Sequence, residues 1–330
     1  MKRRDFVCGA LVAQAVSPAA ARIKIAFLGV SHSHGPEKVK VVQGNPAYEL
    51  AGICEPDPKL RAKFEQAGVR ILTQEQLLGD ASIEAVAVES GVKEHAAQAR
   101  LVLAAGKHLH LEKPPADNLK EFQALVALAR RKGLLMQMGY MWRYHPGINA
   151  ALEAARKGWL GEVYLVRSTM NTLIGGDRRW EWALFHGGQM FEQGCHLIDP
   201  MVRLLGRPTK VTPFLRSHGP FKDNLADNTV AVFEYPRALG LIVSSILQPG
   251  GNLHRAFEVF GSNGNAVVRP IEPPILQIDL AKAAGPYQAK MQTVQLPPFR
   301  RYVGDFAELA EAVRAKRPLA ITPEEDLLVQ

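Results

Sequence analysis

The sequence predicts an α/β chain in two parts, a doubly wound parallel sheet followed by a second α/β domain on an open, mostly antiparallel sheet. Three observations carry this. Short apolar runs alternate with helical stretches through about residue 140, the signature of parallel β-α-β units. Beyond that point alternating apolar–polar runs follow one another with few helices between them, which favours antiparallel pairing. The 330 residues also suit two domains.

Ile23–Leu28 is a short apolar run and reads as the first strand. Residues 36–44 make a short helix after it. ELAGIC, residues 49–54, is the second strand and ends at Glu55-Pro56-Asp57, with a helix over residues 58–67. Residues 83–88 form the third strand. Residues 94–105 are helical and stop at Gly106, and His108–Leu111 is the fourth strand. Residues 118–132 set Phe122, Leu125, Val126 and Ala129 on one helical face and end at Gly133. Residues 134–138 are the fifth strand, and the boundary falls near residue 142. In the second part, helices are expected over 148–157, 189–205 and 305–315. Strands are expected over 162–169, 228–235, 239–247, 256–260 and 276–280.

Residues 1–21 read as an export signal: the basic Lys2-Arg3-Arg4, an apolar run over 7–16, and a small-residue A-x-A ending. Arg3-Arg4 before Asp5-Phe6-Val7 has the twin-arginine pattern. The expected location is periplasmic or otherwise exported through this signal, and cytoplasmic if residues 1–21 are only a basic start. The layout is then 1–21 signal, 22–142 first domain and 143–330 second domain. No stretch is long and apolar enough to span a bilayer in the mature chain. The net charge is +8, but the positive residues are scattered apart from short clusters such as Arg130-Arg131-Lys132. That describes a solvated basic surface better than a nucleic-acid groove. Beyond the signal only Cys54 and Cys195 remain, so no disulfide framework is expected.

Three stretches carry candidate chemistry. GVSHSHG, residues 29–35, follows the first strand where a dinucleotide turn would bring helix N–H groups to a pyrophosphate. Gly29, Ser31 and His34 hold the three glycine positions of G-x-G-x-x-G, so one of three matches. Glu55 ends the second strand, where a carboxylate accepts ribose hydroxyls, which favours NAD over NADP. His32 and His34 can add hydrogen-bond donors to the phosphates. Metal binding by this pair, helped by His95 or by His108 and His110, is the rival reading, but no ligand-like spacing follows and no metal is expected. In the second stretch, Glu112-Lys113-Pro114 ends the fourth strand. A lysine there can have its pKa lowered and act on a substrate hydroxyl. In the third, FEQGCHLIDP, Glu192 and His196 lie four apart on one helical face, so the carboxylate would orient the imidazole for proton transfer. The preceding DRRWEW offers the guanidinium of Arg178 and the aromatic faces of Trp180 and Trp182 either to a ring-shaped substrate such as a saccharide or, equally, as the buried anchors of an ordinary loop.

The chain resembles the glucose–fructose oxidoreductase, inositol dehydrogenase and MocA family (Gfo/Idh/MocA). The resemblance rests on Gly106-Lys107-His108 leading to Glu112-Lys113-Pro114, on Gly139-Tyr140 with Arg143 and Pro146, on Gly158-Trp159-Leu160-Gly161-Glu162-Val163, and on Gly194-Cys195-His196-Leu197-Ile198-Asp199. It implies an N-terminal Rossmann domain, a C-terminal domain whose sheet supports homo-oligomers, and hydride transfer between NAD or NADP and a sugar or cyclitol. It implies Lys113 and His196 as catalytic residues, with Glu192 where an aspartate is common. Glu55, Ser90, His95 and Glu112 would lie beside the cofactor. Arg143, beyond the fifth strand, is expected to reach the mouth of the site. The departures are Ser31 and His34 in the glycine fingerprint, Gly91 in place of a frequent proline, and a chain that stops at Gln330 where the family usually continues in a final helix.

The expected activity is thus NAD-dependent oxidation of a sugar, cyclitol or sugar derivative, with a tightly held cofactor. NAD-assisted glycoside cleavage by oxidation and elimination is the alternative within this chemistry. A non-catalytic saccharide-binding or regulatory protein is the alternative outside it.

Overall fold

The first sheet has five parallel strands in the order β2-β1-β3-β4-β5. These are β1 (Ile23–Leu28), β2 (Tyr48–Cys54), β3 (Ala85–Val88), β4 (His108–Leu111) and β5 (Met136–Met138). The computed structural model describes residues 21–330. The expected export signal therefore lies, apart from Ala21, outside the described residues. β1 and β3 are almost wholly buried, as strands covered on both faces must be. Helices α1 (Gly35–Gln43) and α9 (Val303–Ala315) cover one face, through Val39, Val42 and Phe306. Helices α3 (Gln74–Gly79), α4 (Val92–Ala104) and α5 (Leu119–Lys132) cover the other, through Leu77, Val102, Leu103, Phe122 and Leu125. The remaining helix of this half, α2 (Pro58–Gln66), buries no residue.

The second sheet has eight strands in the order β13-β12-β11-β10-β6-β9-β8-β7. They are β6 (Val163–Asn171), β7 (Lys210–Arg216), β8 (Asn228–Glu234), β9 (Leu239–Ser245), β10 (Ala256–Gly261), β11 (Gly264–Val268), β12 (Leu276–Leu280) and β13 (Lys290–Val294). Every pair is antiparallel except β6 with β9. One face packs on α6 (Pro146–Arg156) and α8 (Cys195–Leu205). The other presents exposed Phe214 and Leu239, which the pairing register puts on the same side. α7 (Gly176–Trp182) stands outside the sheet, and α10 (Pro323–Val329) packs against α5, β5 and α8.

The fold class is the expected one. The last helices, however, return to the first sheet. Phe306 of α9 packs on Phe27, Tyr48 and His110, and the Tyr48 hydroxyl donates to the Phe306 carbonyl at 2.8 Å. The helix expected over 189–205 is also two segments. A π-helical turn, Met190–Gly194, precedes α8.

Candidate active site

The strand order reverses at β1, whose neighbours β2 and β3 continue the chain in opposite directions. Ligands of open α/β sheets bind in the crevice at such a point, beyond the carboxyl ends of the strands. Gly29 leaves β1 with φ +76°, and a Cβ there would lie 2.6 Å from the Ser90 Cβ. Only glycine allows the β1 turn to lie this close to the end of β3. The turn is fixed from three sides. Val30 N–H donates to Glu55 Oε2 at 2.7 Å, His32 N–H to the Glu89 carbonyl at 2.9 Å, and Gly35 N–H to the His32 carbonyl at 2.9 Å. α1 then starts with Pro36 in its first turn and no side-chain cap, so its positive end faces the turn.

Beside the turn lies a pocket of about 370 Å3. Ser31, His32 and Ser33 form one wall, Gly91, Val92 and Lys93 at the start of α4 a second, and Arg178, Trp180 and Trp182 of α7 a third, with Glu192 also in its lining. Trp182 is buried against Ile174, Leu225 and Ile246, whereas Trp180 is 62 % exposed and presents an open ring.

Lys113 emerges from the end of β4 and crosses to the second domain. Its ammonium donates to Glu192 Oε1 at 2.6 Å and to the Glu192 carbonyl at 2.9 Å. Both side chains are buried. Burial is the largest single influence and would lower the lysine pKa, but Glu192, Cys195 and Glu112 together outweigh it and the pKa rises. Burial would likewise raise Glu192, yet Lys113, with His32 behind it, brings the carboxyl down to about 2. Lys113 is therefore a charged donor, and the lowered pKa expected for it is corrected. The expected Glu192–His196 pair is corrected too. The π turn carries an extra residue per turn, so an i, i+4 spacing across its end no longer stacks the two side chains, and Glu192 turns to Lys113. His196 packs among the rings of His34, Tyr140 and Trp142. Its Nδ1 is buried without a hydrogen-bond partner, and burial holds its pKa well below the usual histidine value.

Several expected contacts face elsewhere. His34 points inward, not to the pocket: its Nδ1 lies 3.2 Å from Glu112 Oε2, and burial lowers it to about 4. Glu112 is fully buried and accepts from Lys38 Nζ at 2.5 Å and from Lys113 N–H at 2.9 Å, so its oxygens are engaged inside the protein and not presented directly to the crevice. Lys38 also reaches Glu89 Oε1 at 2.7 Å and His110 Nε2 at 2.9 Å. Burial pushes Glu89 well up, while Lys38 and the two turn histidines hold Glu112 well down against the same burial. His95 is fully buried, with Nδ1 2.7 Å from the Pro114 carbonyl and Nε2 3.0 Å from the Ser90 carbonyl. Burial brings it to about 4, so the neutral ring has one N–H for two carbonyls. It positions the Lys113-Pro114 segment and does not touch the crevice. The Ser90 hydroxyl donates to Gln98 Oε1 at 2.7 Å. Glu55 is buried with its oxygens on the Val30 and Asp57 N–H groups, so it supports the turn instead of presenting both oxygens freely to a ribose. Arg143 is corrected outright. It is buried, stacks on Tyr140, and binds Asp199 at 2.8 and 3.1 Å and Asp326, so its guanidinium joins α8 to α10 inside the protein instead of standing at the site mouth.

The buried ion cluster around Lys38 and Glu89 was not singled out from the sequence. A signal for it exists, since Lys38 lies three and four residues before buried Val41 and Val42 on the apolar face of α1. A lysine on that stripe requires a buried partner.

Residues 23–140 match the oxidoreductase family with an NAD-binding Rossmann fold, and residues 148–267 match the GFO/IDH/MocA C-terminal domain. An uncharacterized oxidoreductase, YdgJ of Escherichia coli K12, is 24 % identical over 254 residues, 76 % of this chain and 72 % of that protein. Trans-1,2-dihydrobenzene-1,2-diol dehydrogenase of Bos taurus is 27 % identical over 196 residues, 58 % of this chain. The match spans only 56 % of that dehydrogenase. In fold, the chain is similar to the aldose-aldose oxidoreductase of Caulobacter crescentus complexed with glycerol, with a TM-score of 0.81, 20 % identity and 94 % of each chain covered. With both halves matched in order, the chain belongs to the Gfo/Idh/MocA family of oxidoreductases with an NAD-binding Rossmann domain.

Proposed function

We propose that this protein is an NAD-dependent oxidoreductase acting on a secondary hydroxyl of a sugar, cyclitol or sugar derivative. The observation that carries the reading is the buried Lys113–Glu192 pair, joining the end of β4 to the second domain beside an aromatic-walled pocket. The crevice suits a dinucleotide: Gly29 admits close backbone approach, the start of α1 is uncapped, and Glu55 holds the turn. The β1 turn and Ser31, Ser33 and Gly91 would hold it, with NAD favoured over NADP because the acidic Glu55 at the end of β2 would repel a 2′-phosphate even while its oxygens support the turn. The bound nucleotide supplies a hydride acceptor.

The chain's own residues handle the proton. Lys113 has three N–H donors and spends two on Glu192. The third is free for the substrate oxygen and stabilises charge developing there. Glu192 keeps Lys113 charged and in place. The neutral, unpartnered Nδ1 of His196 is the available proton acceptor. Trp180 offers an aromatic face to the ring.

Residues 1–21 support export by the twin-arginine route, where scarce free nucleotide favours a tightly held cofactor recycled within one catalytic cycle. The uncovered apolar face of the second sheet supports assembly into homo-oligomers. The test is a screen of glycosides and free sugars that follows reduced-nicotinamide absorbance and released aglycone together. Oxidation without aglycone release indicates a dehydrogenase, and nucleotide-dependent release indicates oxidation followed by elimination. Saccharide binding with neither signal would refute the redox reading in favour of a binding protein.

A further inference from the structure

His32 and His34 share the β1 turn, and the fold brings Glu112 to them from the end of β4. One ligand atom from each of the three lies within 4.8 Å of the others. His34 Nδ1 is 3.2 Å from Glu112 Oε2, His32 Nδ1 is 4.0 Å from the same oxygen, and the two rings meet edge to face with centroids 4.6 Å apart. Ligand atoms about 2.0–2.1 Å from a tetrahedral zinc ion sit roughly 3.3 Å from one another. The His34–Glu112 pair already has that spacing, and His32, 4.0 Å from Glu112 Oε2 and within 4.8 Å of the His34 ligand atom, needs to close by at most roughly 1.5 Å. Two imidazoles and one carboxylate are also a recurrent donor set for zinc and neighbouring transition metals.

We propose that His32, His34 and Glu112 bind one divalent transition-metal ion of the zinc class, with a coordination position left open toward the pocket. His32 sets the direction of that opening, because it both belongs to the cluster and lines the pocket. Unpartnered acceptors give a second, independent indication. Glu192 Oε2 and His196 Nδ1 are both buried without a donor. Glu192 Oε1 lies 3.8 Å from His32 Nε2, and the His196 ring centroid lies 6.2 Å from that of His34. Both side chains thus adjoin a histidine of the cluster and each leaves one buried polar atom unsatisfied there, as a site that takes a metal-bound water would.

Two present contacts must yield. The His34 N–H donates weakly to His32 Nδ1 at 3.3 Å, which marks that nitrogen as carrying a lone pair. Lys38 holds Glu112 Oε2, but it keeps Glu89 and His110 as partners if the metal draws that oxygen away. A metal here would polarise a substrate oxygen beside Lys113. The proposal goes beyond the oxidoreductase reading and does not depend on it.

The test is a cobalt titration of the purified full chain after chelator treatment and dialysis. The proposal predicts one equivalent of Co2+ bound with visible d–d absorption, and a Co2+-dependent rise in melting temperature. H32A and H34A should each weaken binding by more than the roughly 10–100-fold typical of a supporting residue. The circular dichroism spectrum of each variant establishes that it is folded. E112Q is a poorer probe, since it removes a buried counter-charge of Lys38. Wild type without stoichiometric cobalt, or folded H32A and H34A that bind as wild type does, would overturn the proposal. Nucleotide content measured in the same samples separates the two readings: nucleotide without cobalt removes the metal alone, and cobalt without nucleotide removes the redox assignment alone.

Discussion

Replacing Lys113 by methionine leaves the Glu192 carboxylate buried with His32 Nε2 at 3.8 Å as its nearest remaining ion-pair partner. Two hydrogen bonds from the ammonium, at 2.6 and 2.9 Å, are lost. Removing one member of a buried pair costs about 3–5 kcal/mol, most of it from the charge left behind. The lowered pKa of Glu192 gives a similar size. Its carboxyl sits at about 2 instead of 4.5, a difference of about 3 kcal/mol between protonation states. The sign follows from the lowered pKa. This stabilisation is present above the unfolded-state value of 4.5 and is lost as pH falls from there toward 2. K113M should therefore lose about 3–5 kcal/mol of urea-unfolding free energy at neutral pH. The double variant K113M/E192Q, with no stranded charge, should recover most of it. Turnover should fall about 10²–10⁴-fold in both, because the donor to the substrate oxygen is gone from both. A K113M protein as stable as wild type, or a double variant no more stable than K113M, would refute the electrostatic account. Turnover restored in the double variant would refute the catalytic role.

Other outcomes follow from the same geometry. Because His196 is held neutral well below the usual histidine range, the acid limb of kcat/KM should fall well below pH 6.5. H196A should cost about 10²–10⁴-fold, and an acid limb at or above pH 6.5 counts against His196 as the base. G29A combines φ +76° with a 2.6 Å approach to Ser90; nucleotide retention, read by absorbance after gel filtration, should drop, and full retention contradicts the turn assignment. R143L should lower unfolding free energy by about 3–5 kcal/mol while leaving substrate KM unchanged, and a KM change would return Arg143 to the substrate. A charge on the open sheet face, as in F214E, should shift the light-scattering mass toward the monomer, and an unchanged mass would place any oligomer contact elsewhere.

The parallel sheet was legible because strands buried on both faces read as short apolar runs between helices; the observed Ile23–Leu28 and His108–Leu111 match the expected strands end for end. β7 escaped notice because Pro213 interrupts it, a residue tolerated at a sheet edge. β13, at the opposite edge, is too polar to show a buried face. Lys113, Glu192 and His196 were each visible as residues, but their pairing was not. Lys113 and Glu192 are 79 positions apart, and sequence spacing carries no information on a contact between domains. The π turn defeated the helical period used to join Glu192 to His196. His95 was placed at the site by resemblance and Arg143 by its position beyond the fifth strand, whereas their buried partners, the Pro114 carbonyl and Asp326 of α10, are brought near them only by the folded chain.

The most direct measurement of the central claim is the nucleotide content of the folded protein. Denaturing the purified chain and chromatographing the supernatant should release NAD, and a chain emptied of it should rebind NAD in preference to NADP. A protein that releases no nicotinamide nucleotide and binds none when supplied would contradict the account.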